Sequence, residues 1–114
     1  MKKKFRMLTC LVVFAASATL LPAANLQWDN DLVTAGAQDG AGTWDILNAN
    51  WTNGTANVVW NNSLTVTNTA VFGNGNGAAS SGIFTVSLAG DMNVGGLTFN
   101  NAGTGNSYLI NNPM

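Results

Sequence analysis

From Asn25 onward the chain never holds an apolar run for more than a few residues before Gly or Asn breaks it. Nowhere in this stretch do apolar residues recur with the i, i+3, i+4 spacing of a helix face. The strong helix formers are missing as well. There is no Glu, no Lys or Arg lies beyond Arg6, and Gln27 and Gln38 are the only glutamines. A chain of this kind cannot bury a helical stripe. It reads as all-β, built from short strands joined by Gly/Asn turns, because those two residues tolerate the positive φ that tight corners demand.

Several strands can be placed from alternation alone. Val58-Val59-Trp60 ends at the turn pair Asn61-Asn62, and Ser63-Leu64-Thr65-Val66-Thr67 alternates with Leu64 and Val66 on one face. Thr69-Ala70-Val71-Phe72 runs into Gly73-Asn74-Gly75-Asn76-Gly77, which no helix pattern and no lysine follows, so it is a turn and not a phosphate loop. Ile83 to Leu88 alternates most clearly, with Phe84, Val86 and Leu88 facing in, and Met92-Asn93-Val94 keeps that phase. At Gly95-Gly96 the phase shifts, so that Leu97 and Phe99 face in; a bulge or corner is expected there. Tyr108-Leu109-Ile110 is the last short strand. This density of corners favours strands coiling in a β-solenoid, with a small β-sandwich as the alternative.

The first 24 residues read differently. Lys2, Lys3, Lys4 and Arg6 are all the basic residues of the chain, and an apolar stretch from Met7 to about Leu21 follows them. With small residues at Ala23-Ala24, this is the pattern of a signal peptide that begins as a helix. Cleavage is expected after Ala24, or alternatively after Ala18; an uncleaved anchor is the remaining reading. The apolar stretch is shorter than the roughly 20 uninterrupted apolar residues of a membrane span, and the mature chain holds no such span. Cys10, the single cysteine, sits too near the basic cluster for a lipoprotein signal and leaves with the leader. About 90 residues then remain without a thiol, a size at which a core alone gives marginal stability.

What is missing also limits the chemistry. Without His, Cys, Lys, Arg or Glu, the mature chain lacks almost every general base and every cation. Only paired Asp carboxylates remain for acid–base work, and nothing in the spacing pairs Asp29, Asp31, Asp39, Asp45 or Asp91. An enzyme is not expected, nor is a nucleic-acid partner, which needs basic surface. Asp29-Asn30-Asp31 with Asp39 offers oxygen ligands of the calcium type, but the spacing completes no loop motif, and solvated turn residues are the better reading. No cofactor or metal is assigned.

Thr43-Trp44-Asp45 with Ala49-Asn50-Trp51, then Asn68-Thr69-Ala70-Val71-Phe72-Gly73, then Phe84-Thr85-Val86 and Val94-Gly95-Gly96-Leu97-Thr98-Phe99-Asn100, occur here in that order. Together they resemble the autotransporter-associated β-strand repeat of secreted bacterial proteins. Thr67-Asn68 stands where the family usually has Gly-Asp. The resemblance implies a right-handed parallel β-helix, partial here, in which each repeat adds a rung. It implies a role in export or display and carries no catalytic residue. The expected organisation is a signal peptide over 1–24, a lead-in or cap over 25–42 and an incomplete repeat segment over 43–114.

Trp28-Asp29 and Trp44-Asp45 look like two copies of one motif, with Trp51 and Trp60 after them. Exposed, the four rings would stack on sugars; buried, they would cap the end of a solenoid or fill a small core. The expected function is therefore a non-catalytic spacer or display segment, secreted or held at the cell surface. Its partners are the secretion machinery and, through exposed tryptophans, surface polysaccharide. A small secreted carbohydrate-binding β module is the alternative.

Overall fold

The computed structural model describes residues 22–77 and 82–113. The signal-peptide helix expected near the N-terminus falls on residues 1–21, outside the described ones. Within them the protein is all-β, with no helix. Eight strands form: β1 Asn25–Trp28, β2 Gly42–Trp44, β3 Trp51–Thr52, β4 Asn57–Val58, β5 Thr69–Phe72, β6 Gly82–Leu88, β7 Gly96–Phe99 and β8 Asn106–Asn111.

Two sheets result, and neither closes. One has the order β4-β3-β1-β5-β7, the other β2-β6-β8. Every neighbour is parallel except in the hairpin β3–β4 and its seam with β1, which are antiparallel. The path of the chain explains the order. β1 lies in the first sheet and β2 in the second; the hairpin returns to the outer side of β1. β5 then goes back to the first sheet, β6 to the second, β7 to the first and β8 to the second. Residues 25–42, expected as a lead-in, thus supply β1, the central strand of the larger sheet.

Register follows from alternation. In β5, Ala70 and Phe72 are buried while Thr69 and Val71 face out. Their partners Leu97 and Phe99 in β7 continue the inward rows, and Leu26 in β1 starts the first. In β6, Phe84 and Val86 are buried and Leu88 packs on the core; Tyr108 and Ile110 lie beside Phe84 and Val86. The inward phase read from the sequence holds at Phe84, Val86 and Leu88, and Leu97 and Phe99 share the face of Ala70 and Phe72. Leu97 and Phe99 are nevertheless 51% and 53% exposed, because β7 is the outer strand of its sheet among the described residues.

The corner expected at Gly95-Gly96 is present. The Gly95 N–H donates to the Asn68 carbonyl at 2.8 Å, and a Cβ on Gly95 would lie 2.3 Å from the Thr67 carbonyl oxygen. Only glycine lets the two chain levels touch there. Gly73, with φ 90°, makes the matching approach one level on: its Cβ would stand 2.3 Å from the Asn100 carbonyl oxygen.

Three expected strands differ. Ser63 to Thr67 is a turn with Leu64 79% exposed, not a strand. Asn61 Oδ1 accepts the Ser63 N–H and Ser63 Oγ accepts the Thr65 N–H, and these local bonds compete with a ladder. Met92-Asn93-Val94 forms no strand either. Asn93 is bound instead by Asn62, whose Oδ1 and backbone carbonyl accept the Asn93 N–H and Nδ2–H. Of Val58-Val59-Trp60 only Val58 is in a strand, and Trp60 turns into the core.

Candidate functional site

All four tryptophans singled out by the sequence meet in one place, in the core. Trp28 and Trp51 are 0% exposed, Trp60 1% and Trp44 2%. Each arrives from a different segment: the end of β1, the end of β2, the start of β3, and the chain just after β4. Trp51 is the hub, with ring centroids 4.8 Å from Trp44, 4.8 Å from Trp60, 5.2 Å from Trp28 and 5.3 Å from Phe72. Most of these contacts are edge-on or tilted, the arrangement that ring quadrupoles favour. Phe72 carries the aromatic column onward to Phe99, stacked at 5.4 Å, and to Tyr108 at 5.2 Å. In this arrangement no indole face is open to a sugar ring.

The indole N–H groups divide. Trp28 Nε1 donates to the Gly40 carbonyl at 2.9 Å and Trp60 Nε1 to the Asn93 carbonyl at 3.3 Å. Trp44 Nε1 and Trp51 Nε1 are buried with no hydrogen-bond acceptor. Each such donor costs about 1–3 kcal/mol relative to a paired one, reduced where it points at a neighbouring ring face.

The two buried Asp carboxylates, Asp29 and Asp39, are each held by hydrogen-bond donors of the chain itself. Asp39 is 3% exposed and buried in a cradle. Its Oδ2 accepts the Gly75 N–H at 2.7 Å and the Asn74 N–H at 2.9 Å, and its Oδ1 accepts the Tyr108 hydroxyl at 2.8 Å. Tyr108 Oη in turn accepts the Gly40 N–H at 3.1 Å. The Gly/Asn turn expected at 73–77 is therefore also a pair of backbone donors aimed at a carboxylate, the geometry of an anion nest filled by the chain's own side chain. It fastens the segment before β2 to the turn after β5 and to β8.

Asp29, 2% exposed, accepts the Asp31 and Gln38 N–H groups on Oδ1 and Asn57 Nδ2–H on Oδ2 at 2.7 Å. Asp31 and Asp45 close surface turns. The Thr34 hydroxyl, 2.6 Å away, and the Val33 N–H lower the Asp31 pKa. At Asp45 partial burial pushes the pKa upward, but donors from Asn48 and Leu47 outweigh it and the net shift is down. Among the described residues no three acidic or other ligating side chains come together as a metal site.

Tyr108 has its pKa raised by burial first, with Asp39 adding to the shift. A phenol that holds its proton more tightly when folded stabilises the fold fully below its ordinary pKa of 10.0, and that contribution is lost as pH rises beyond it. Tyr108 is the only tyrosine, so phenolate absorbance reports it alone. We expect that absorbance to appear together with loss of the β circular-dichroism signal, at a pH above 10.0. Free titration of the phenol near 10.0 in the folded chain would mean that Tyr108 is not buried against Asp39.

A concavity lies elsewhere, on the outer face of the five-stranded sheet. It is an open trough of about 810 Å³. Its floor carries Gln27, Thr52, Asn57 and Val71, and its walls are the loop 32–37 and the turn 53–56. No motif marks these residues. The available signal is parity, since Gln27, Thr52 and Asn57 adjoin Trp28, Trp51 and Val58, which all point to the core.

No family model, curated protein or solved structure matches the chain. The described surface offers amides, hydroxyls, single exposed apolar side chains and the carboxylates of Asp31, Asp45 and Asp91, while the buried carboxylates of Asp29 and Asp39 are already satisfied.

Proposed function

We propose that the chain is an exported, non-catalytic structural segment in which successive coils stack as a β-solenoid of the autotransporter-associated repeat kind. One observation carries this: the chain alternates between the two sheets while β1, β5 and β7, and likewise β2, β6 and β8, stay parallel and in register. Stretches 25–44, 69–88 and 96–111 then correspond to three coils. The coil is right-handed, as crossovers between parallel strands of one sheet nearly always are. The resemblance gains support from where its residues lie: Val94-Gly95-Gly96-Leu97-Thr98-Phe99 spans a corner and the strand stacked on Thr69–Phe72.

The two ends of the stack are unlike, which suits a terminal spacer. At one end the hairpin β3–β4 covers β1, with Trp51 and Trp60 beneath it. At the other, β7 and β8 are outer strands, and Leu97 and Phe99 present a half-covered apolar layer on which a further coil of the same kind stacks. A stacked solenoid needs about three such units to bury a continuous core. The aromatic column from Trp60 to Phe99 provides one here. A module that binds glycans through its tryptophans has less support, because those rings are inside.

Export has its support in Lys2 to Ala24 and in the low-charge, Asn/Thr-rich stretch that follows. Ala24 bears on the cleavage site. Its N–H donates to Asn68 Oδ1 at 3.0 Å, and its carbonyl accepts the Thr69 N–H at 2.9 Å. Cleavage after Ala18 keeps both bonds; cleavage after Ala24 removes both, at a cost of about 1 kcal/mol each. We expect the chain expressed in a Gram-negative host to be recovered outside the cytoplasm, with Ala24 retained in the mature N-terminal peptide. Recovery only in the cytoplasm with Met1 intact contradicts export. A mature terminus at Asn25 contradicts the part played by Ala24.

A further inference from the structure

We propose that the trough on the outer face of the five-stranded sheet is a binding site for an extended neutral glycan, lying across the strands. Four of its floor residues form a single cross-strand row. Asn57 is the register partner of Thr52, Thr52 of Gln27, and Gln27 of Val71. Neighbouring strands lie about 4.8 Å apart, close to the length of one sugar residue in an extended β-linked chain. A glycan crossing the sheet therefore meets one side chain of the row per sugar, over a span of about 14 Å.

The row is held ready by bonds that use only part of each side chain. Asn57 Nδ2 donates to Asp29 Oδ2 at 2.7 Å, which leaves Asn57 Oδ1 as an acceptor. Gln27 Nε2 donates to the Val71 carbonyl at 3.2 Å, which leaves Oε1 as an acceptor. Thr52 Oγ1 accepts the Gly54 N–H at 3.1 Å, which leaves its hydroxyl hydrogen to donate. The sequence across the floor is acceptor, donor, acceptor, and then the apolar Val71. Sugar hydroxyls both donate and accept, and their C–H faces suit a valine and the partly exposed Leu32 of the wall. Side chains already fixed lose little entropy on binding.

The same chemistry selects against other ligands. An anion would find two acceptors and the Asp29 carboxylate beneath them, with no basic residue in the chain beyond Arg6. A cation would find Asp29 already engaged by Asn57, Asp31 and Gln38. An extended peptide repeats its amides at about 3.3 Å, out of step with the row, and pairs by preference with a sheet edge. No tryptophan lines the trough.

The test is a titration of the ¹⁵N-labelled full chain with cellohexaose, followed by NMR. We expect saturable shifts of the Gln27 and Asn57 side-chain amides with a Kd of about 1 mM. Thr52→Val keeps the shape and removes the donor, together with the acceptor of the solvent-exposed Gly54 N–H; it is expected to weaken binding about fivefold, the worth of one net hydrogen bond, while the melting midpoint falls by a few degrees at most. Gln27→Ala should weaken it comparably. The proposal is overturned if cellohexaose and mannohexaose leave those amides unshifted. It is equally overturned if both variants bind as the wild type does, or if oligogalacturonate or a polar peptide fills the trough while neutral glycans do not.

Discussion

Replacing Trp51 by alanine is expected to destabilise the fold by about 3–5 kcal/mol, the range for emptying a large aromatic site in a core. The reason lies in its position. Trp51 is fully buried and touches Trp28, Trp44, Trp60 and Phe72, so its removal leaves a hole at the point where both sheets and the hairpin meet. A domain of about 90 residues has a total stability of roughly 5–13 kcal/mol, so the variant should melt far lower or not fold. Trp51→Phe separates packing from polarity. It keeps an aromatic ring and deletes an indole N–H that has no acceptor, so its loss should be less than half that of the alanine variant. Urea melts followed by circular dichroism measure both. If Trp51→Ala costs less than about 1 kcal/mol, a typical surface effect at most, the ring is not the centre of the core.

The second large effect is expected at Asp39. Asp39→Ala strands the Asn74 and Gly75 N–H groups and the Tyr108 hydroxyl, three donors that share one buried carboxylate. Hydrogen bonds to a charged group are worth about 1.5–3 kcal/mol each. With overlap between them, a loss of about 3–5 kcal/mol is expected. Asp39→Asn is the informative partner. Its remaining oxygen can keep the two backbone donors while its amide donates to Tyr108 Oη, so about half the loss should return. Amide exchange at Asn74 and Gly75 reads the site directly: protected in the wild type, partly protected in Asn, fast in Ala. Unchanged protection in the alanine variant contradicts the cradle.

Local features of the sequence foretell local features of the fold. The inward phase of Phe84, Val86 and Leu88, and its switch at Gly95-Gly96 to Leu97 and Phe99, is legible because side-chain alternation is written residue by residue. The turn at 73–77 is legible for the same reason, from the φ that glycine supplies. The segment Ser63 to Thr67 misleads because it alternates too, while Asn61 and Ser63 spend their side chains on the nearby backbone.

Pairing partners are the part alternation cannot reveal. Tyr108 reaches Asp39 across 69 residues, and Asn57 reaches Asp29 across 28. Neither link has a spacing that a linear motif records. The tryptophans show the same limit. Their repetition as Trp28-Asp29 and Trp44-Asp45 marks them as special, but whether they face sugar or core depends on β3 folding back on β1, a hairpin only two residues wide on each strand. The trough follows from that same fold-back, since Thr52 and Asn57 join Gln27 only through it.

The claim on which the rest depends is that chain stretches separated by a sheet-to-sheet crossing stack in parallel and in register. Cross-strand nuclear Overhauser contacts test it most directly, because short Hα–Hα contacts arise between antiparallel strands and not between parallel ones. The account predicts Hα–Hα contacts within the β1–β3–β4 seam alone, together with amide-to-Hα contacts that match Val71 to Thr98 and Thr85 to Leu109. Hα–Hα contacts joining β6 to β8 or β5 to β7 would contradict it and make the fold an antiparallel sandwich.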